Sequence, residues 1–465
     1  MSSIIPWEIL ASIFKLNHLS GDTDNDDCDM QLGEYSVPSV QSKGPPPEVK
    51  VSHVSQRWRQ IALGTGTLWT SIFVKRGACH EAVSAYLQRS SESPLDVIIV
   101  HDRPLDDNSD DEESSQAHQR IFDLALLHIS RWRRCWVDSS RHNIDSPFLS
   151  RLISAQAPVL EYLSIGVEVS NHLRPHDQSE GLSTPRIFTG GCPRLAFVYL
   201  RGLAVYLFRP PMSTVTALSI DHTRHICIRF SGFRALLHSS PLLLHLSISG
   251  DVVGNQSWPQ SDFITLPALR SLAITSFRAS NYSSILLTIN APLLRKIILE
   301  DACEHDLDPF LNSSRASKYP LLQSLVFCDC HFTVSKYRMF CASFPSVSEL
   351  TFYGDSYLPD ILRSISDTTH LAPNATDAHS LWPRLKELNV DLSLANEEGL
   401  FLKDGLERRL ETGHGPAKMR LGTAVDEPED DDHALTMACS DPEWLKEHVA
   451  IEIMEGPVLW RQCCS

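Results

Sequence analysis

Two periods of apolar residues divide the chain. Near the N-terminus Ile9, Leu10, Ile13 and Phe14 recur at helical spacing behind Pro6, which suits a first helical turn because its missing N–H needs no partner there. The spacing predicts a helix from Pro6. A second helical stripe starts at Glu48, with Val51, Val54, Trp58, Ile61 and Ala62 on one face. Gly64-Thr65-Gly66 ends it, just before Leu68-Trp69. Between the two helices, residues 19 to 47 are polar and rich in Asp and Pro, and read as a disordered insertion.

Beyond residue 150 the period changes from helical to alternating. A phrase of the form Pro-x-Leu-x-x-Leu-x-Ile returns eight times, at Pro158, Pro193, Pro241, Pro267, Pro292, Pro320, Pro345 and Pro383. From Pro241 the intervals are 26, 25, 28, 25 and 38 residues, and a weaker copy over Pro211 to Ile220 makes nine expected strands. Stretches around Phe233 and Phe310 supply short helices between copies. Residues 120 to 138 predict a helix, Ile121 to Ile129, leading into a strand at Trp132 to Val137. Toward the end a helix is expected over Leu400 to Glu411, with strands at Met419 to Leu421 and Val449 to Ile453. A strand plus a short helix cannot bury its own apolar side, so such units must stack on their neighbours.

Composition fits this picture. The 465 residues are 42% apolar and 21% charged, which excludes wholesale disorder. The net charge of −16 is concentrated in three windows, Asp22 to Asp29, Asp102 to Glu113 and Asp426 to Asp432, which carry −5, −6 and −6. The remainder is close to neutral. No basic stripe is available to displace counterions from phosphates, so a dedicated nucleic-acid binder is not expected. The 12 cysteines lack the paired spacing of a disulfide framework. Met1 to Leu10 lacks the basic and long apolar regions of a secretory signal, and no window reaches the ~18 to 20 apolar residues of a membrane span. The expectation is a cytoplasmic or nuclear protein with free thiols and no membrane partner.

Catalytic patterns are missing. There is no Gly-x-Ser-x-Gly elbow, phosphate loop or His-Glu-x-x-His helix; His80-Glu81 begins like the last, but Ser84 stands at the second ligand position. Cys328-Asp329-Cys330-His331 is a thiol and imidazole cluster without the spacing of a zinc knuckle. Arg131-Trp132-Arg133-Arg134-Cys135-Trp136 mixes cations with aromatics, and alternation on a strand assigns at least one set of these to a core. No metal, cofactor or catalytic residue is expected, and the chain is read as a non-enzyme. A hydrolytic site assembled across repeats is the remote alternative.

The N-terminal residues resemble the F-box. They do so through Ile5-Pro6-Trp7-Glu8-Ile9-Leu10 with Ile13-Phe14, then Val51 to Ala62 with Trp58, then Leu68-Trp69 followed by Ile72. Departures are Ile5 for the usual Leu, Ser55 where Cys is common, Gly66 before the Leu-Trp pair, and the acidic insertion, which is similar to that of the expanded F-box families of mushroom-forming fungi. The repeated phrase resembles the strand of an irregular leucine-rich repeat that lacks the usual asparagine ladder.

The expected fold is therefore α/β. An N-terminal three-helix F-box-like head (1–75) precedes a linking segment and N-terminal cap with an acidic loop at 102–113 (76–150). A leucine-rich-repeat-like solenoid with a curved parallel sheet, an acidic loop at 426–432 and a C-terminal cap completes it (151–465). The resemblance implies a substrate-recognition adaptor of a Skp-cullin-F-box ubiquitin ligase, whose head docks on the Skp-type adaptor and whose repeats hold a protein substrate. The residues implied at the docking surface are Ile5, Pro6, Ile9, Leu10, Ile13 and Phe14, with Val54, Trp58, Leu68 and Trp69. The alternative is a repeat scaffold without ligase recruitment.

Overall fold

The computed structural model describes residues 6–20, 45–100, 112–139, 150–167, 184–222, 228–250, 252, 263–276, 279–313, 318–353, 382–391, 406, 407, 410, 416–423 and 442–455. The chain forms two compact units, Met1–Leu242 and Leu243–Ser465. The acidic windows at 22–29 and 426–432, and residues 102–111 of the third, lie outside the described residues. So does most of the helix expected over Leu400 to Glu411.

In the first unit, helices α1 (Trp7–Ser20), α2 (Pro47–Ser52) and α3 (Gln56–Gly64) make the head. Strand β1 (Ser71–Lys75), helix α4 (His80–Arg89), β2 (Leu95–Val100), α5 (Glu112–Leu126) and β3 (Trp132–Ser139) follow. The unit continues with β4 (Tyr162–Val167), β5 (Phe197–Gly202), α6 (Ala204–Leu207), β6 (Ala217–His222) and α7 (Phe230–His238). All six strands pair in parallel in chain order. The register sets Ile72, Val97, Cys135, Leu163, Val198 and Leu218 side by side in one row, and all six are buried. Because side chains alternate across a strand, one aligned row buries the same face of every strand.

The second unit repeats the scheme. It contains β7 (His245–Gly250), β8 (Ile264–Thr265), β9 (Ser271–Thr275), α8 (Ala279–Thr288), β10 (Ile289–Asn290), β11 (Lys296–Glu300), α9 (Asp308–Leu311) and β12 (Ser324–Cys328). Then come α10 (Val334–Ser343), β13 (Glu349–Tyr353), β14 (Glu387–Asp391), β15 (Lys418–Thr423), α11 (Pro442–His448) and β16 (Ala450–Glu455). Eight of these strands pair in parallel, while β8 and β10 form a separate parallel pair. Ile248, Ile274, Leu299, Phe327, Phe352, Val390 and Leu421 align in a buried row. The nine expected repeat strands are all present, and the fold is α/β with parallel strands.

The recurring proline has a local cause. Seven of the eight phrases open with a tight turn in which the N–H two residues after Pro donates to the residue before it: Leu160 to Ala157 at 3.2 Å, Leu294 to Ala291 at 3.0 Å, Leu322 to Tyr319 at 3.2 Å, Leu385 to Trp382 at 3.0 Å. Pro occupies the second turn position, where its fixed φ is already set. The residue before Pro and the Leu after it are both buried, so the turn also pins two core side chains. The weaker copy makes the same turn with Ser213 in place of Pro, Val215 N donating to Met212 O at 3.1 Å.

In the second unit backbone hydrogen bonds then lock neighbouring repeats together. The Arg270 carbonyl accepts from Arg295 N (2.8 Å) and Lys296 N (3.0 Å), and the Arg295 carbonyl from Gln323 N and Ser324 N (both 2.9 Å). The Gln323 carbonyl accepts from Ser348 N (2.8 Å) and Glu349 N (3.0 Å) in the same way. This carbonyl ladder stands at the strand entrances where the sequence shows no asparagine ladder. At the strand exits Gly202, Gly250, Asp301 and Asp329 take positive φ of 62°, 75°, 56° and 47°. That left-handed turn is open to Gly, and to Asp more readily than to most side chains.

Three local departures have identifiable causes. The helix expected from Glu48 breaks after Ser52, because the Ser55 hydroxyl accepts from Trp58 N at 3.1 Å and caps a new helix. The sheet begins at Ser71, inside the residues read as the head. Simple alternation also fails at the start of β3, where a register shift between Leu95 and Asp96 leaves Arg133 without a partner position in the ladder. Trp132 and Cys135 are consequently both buried, the Trp132 indole donating to Ala125 O at 3.2 Å. Arg133 turns to Asp96 through Nε (3.1 Å) and Nη2 (2.6 Å), and Arg134 is exposed.

Phe327 is fully buried among Phe332, Tyr337, Phe340 and Phe352, with ring centroids 5.3 to 5.9 Å away. Phe327→Ala is expected to cost about 3–5 kcal/mol, read as a lowered urea midpoint. Exposed Arg384→Ala, at the turn before β14, should stay within about 0.5 kcal/mol.

Candidate docking surface of the helical head

The head closes its own core first. Leu10 and Phe14 from α1 meet Ala62 of α3, Leu68 and Trp69, with Val49, Trp58 and Ile61 packed around them. The Phe14 and Trp58 rings lie 4.9 Å apart. Trp69 is fully buried, and its indole N–H donates to Ala62 O at 2.8 Å, which satisfies the one polar atom of that side chain. Tyr86 of α4 packs edge-on against it at 5.0 Å, and the Arg89 guanidinium sits 4.5 Å over its ring.

A second tie joins the head to α4. The Tyr86 hydroxyl donates to Glu48 Oε1 at 2.5 Å, and Glu48 is itself buried. Burial, then the neighbouring Glu48 carboxylate, push the Tyr86 pKa well above the ordinary tyrosine value. Tyr86 therefore stays protonated as the donor, and the helical head is held to the first strand-helix unit.

With that core complete, one side of α1 has no cover among the described residues. Ile9, Ile13 and Leu16 are 51%, 45% and 66% exposed at i, i+4 and i+7. Trp7 and Val54, each 61% exposed, add to the apolar surface of the head. Single exposed apolar residues are ordinary, but a helical stripe of them marks an interaction surface.

The residues expected at the docking surface divide into two groups. Pro6, Ile9, Ile13 and Val54 are exposed and Trp58 is half-buried. Leu10, Phe14, Leu68 and Trp69 are interior, because α3 and the Leu68-Trp69 turn close over them. Leu10 and Phe14 thus position the exposed stripe rather than belong to it. Ile5 lies outside the described residues. Leu16 was missed, although its spacing from Ile9 and Ile13 carries the same helical signal. Trp7 was missed because it stands outside that stripe.

Two of the other chemical candidates fall inside the fold. Cys328 and Cys330 are buried, with Cys330 Sγ 3.3 Å from Leu299 O, and burial pushes the Cys328 thiol pKa well up. Among the described residues no group of three or more His, Cys, Asp or Glu side chains is placed to hold a metal ion. No described helix is long and apolar enough to cross a membrane. No family model matches the chain, and no curated protein matches it significantly.

Ile13→Asp is expected to leave unfolding within about 0.5 kcal/mol of the parent, whereas Phe14→Asp, which buries a charge among Trp58, Ala62 and Trp69, should unfold the head. Circular dichroism melts compare the two. Tyr86→Phe removes the donor to buried Glu48 and should cost about 1–3 kcal/mol in urea unfolding at neutral pH. Because the folded Tyr86 pKa is raised, its contribution is full below the ordinary value of 10.0 and is lost as pH rises above it. The difference between parent and Tyr86→Phe should therefore shrink at alkaline pH.

Proposed function

We propose that the chain is the substrate-recognition adaptor of a Skp-cullin-F-box type ubiquitin ligase. The observation that carries this reading is the exposed stripe of Ile9, Ile13 and Leu16 on a small helical head whose own core is already closed. A Skp-type adaptor would cover that stripe together with Pro6 and Val54. The repeats would hold a protein substrate, and tethering would raise its concentration near the charged conjugating enzyme with no chemistry from this chain.

Binding of a purified Skp-type adaptor to the full chain tests this. The parent should bind saturably, and the double variant Ile13→Asp with Leu16→Asp should lose at least about tenfold, or 1.4 kcal/mol, while keeping its melt. Failure of the folded parent to bind would leave a repeat scaffold without ligase recruitment.

A further inference from the structure

A second exposed apolar surface lies on the second unit, at the strand-entry turns. Leu293 and Leu321 occupy the same turn position, each directly after an exposed proline, Pro292 and Pro320, and are 45% and 42% exposed. The preceding turn carries exposed Pro267 and half-buried Ala268 there. These turns stand side by side. Leu266 N donates to Asn290 O at 2.9 Å, and the Tyr319 hydroxyl lies 2.8 Å from Leu286 O and 3.0 Å from Ile289 O. The Lys318 ammonium sits 4.0 Å over the ring of Phe263, itself 38% exposed, which joins the outer two turns directly. The result is a short ridge of proline and leucine across three consecutive repeats.

Cations run beside it. Arg270 and Arg295 each follow the turn Leu of their repeat, are exposed, and are joined through backbone, Arg295 N to Arg270 O at 2.8 Å. Neither makes an ion pair among the described residues. The two arginines place like charges at equivalent positions of neighbouring strands, which an anionic partner would complement. Half-buried His245 and Lys296 lie in one register row with Ser271 and Ser324. Burial, then Arg270, then Lys296, hold His245 below the ordinary histidine pKa. In the same row Ser324 is 5% exposed and its hydroxyl has no hydrogen-bond partner among the described residues.

We propose that this edge, with Leu293 and Leu321 flanked by Arg270 and Arg295, binds an acidic amphipathic peptide segment of a partner protein. The apolar ridge takes the partner's apolar side chains and the arginines take its carboxylates. Nucleic acid fits less well, because leucine and proline offer phosphates nothing and the cations are few. A second copy of the chain fits less well too, since a two-fold contact through this edge would set arginine against arginine. Spread over adjacent repeats, the cations suit several carboxylates in a row better than one doubly charged group. The inference rests on reading the repeats as the partner-binding half and is independent of how the head docks.

The test is fluorescence anisotropy on the full chain without adaptor. The probe is a panel of labelled peptides of about 16 residues with Leu on one helical face and Glu on the other, against matched peptides carrying Lys for Glu. At least one acidic peptide should bind saturably, more weakly as salt rises. Binding should weaken about tenfold or more in Arg270→Glu with Arg295→Glu, and again in Leu293→Ser with Leu321→Ser. All four positions are exposed, so the variants should keep the parent melt. Ile13→Asp with Leu16→Asp should leave peptide binding unchanged even if it abolishes adaptor binding. No saturable acidic peptide up to about 1 mM, equal affinity for the Lys peptides, or unchanged affinity in both double variants would overturn the proposal. Single-stranded DNA that competes fully and ignores the leucine variant would overturn it in favour of nucleic acid.

Discussion

A strand with one apolar face and a short connecting helix exposes more hydrocarbon than it can cover, and this constraint organises both units. The face is covered only when a neighbour supplies the same face in the same register. Leu163 beside Val198, or Leu299 beside Phe327, is therefore the basic stabilising contact. Register has to be held, because a slip of one residue turns the apolar row outward. The carbonyl ladder through Arg270, Arg295 and Gln323 does this with backbone atoms alone. Side chains at the strand entrances are consequently free to vary from repeat to repeat.

That freedom separates stability from recognition. The buried positions that flank the turn are apolar or aromatic in all but one repeat, Ala157, Cys192, Ala291, Tyr319, Phe344 and Trp382 among them, with Ser240 the exception. The position directly after proline changes from Val159 to Arg194, Leu293, Ser346 and Arg384. The head follows the same logic on a smaller scale. Its interior is spent on Leu10, Phe14 and Trp69, and what remains outside on α1 is apolar without a covering element among the described residues.

Much of this was legible in the sequence because both periods are strong. The Pro-x-Leu-x-x-Leu phrase located eight strands and its weaker copy a ninth, since the turn pins in the core the residue before proline and the leucine two places after it. Features decided by single hydrogen bonds or by register were not legible. Ser55 splits a helix whose apolar face runs through Trp58, and a one-residue shift at Leu95 and Asp96 moves Trp132 out of simple alternation. In the head the helical stripe was visible, but its division was not. Leu10 and Ile13 are neighbours on the same apolar face, and only the placement of α3 and Trp69 decides which is covered.

Hydrogen exchange on the full chain, with and without a purified Skp-type adaptor, tests most directly whether the head's apolar stripe is the recruiting surface. Added protection confined to α1 and the α2–α3 turn around Val54, with the repeat strands unchanged, is the expected result. Binding without added protection of α1, or with protection centred on the repeat strands, would contradict it.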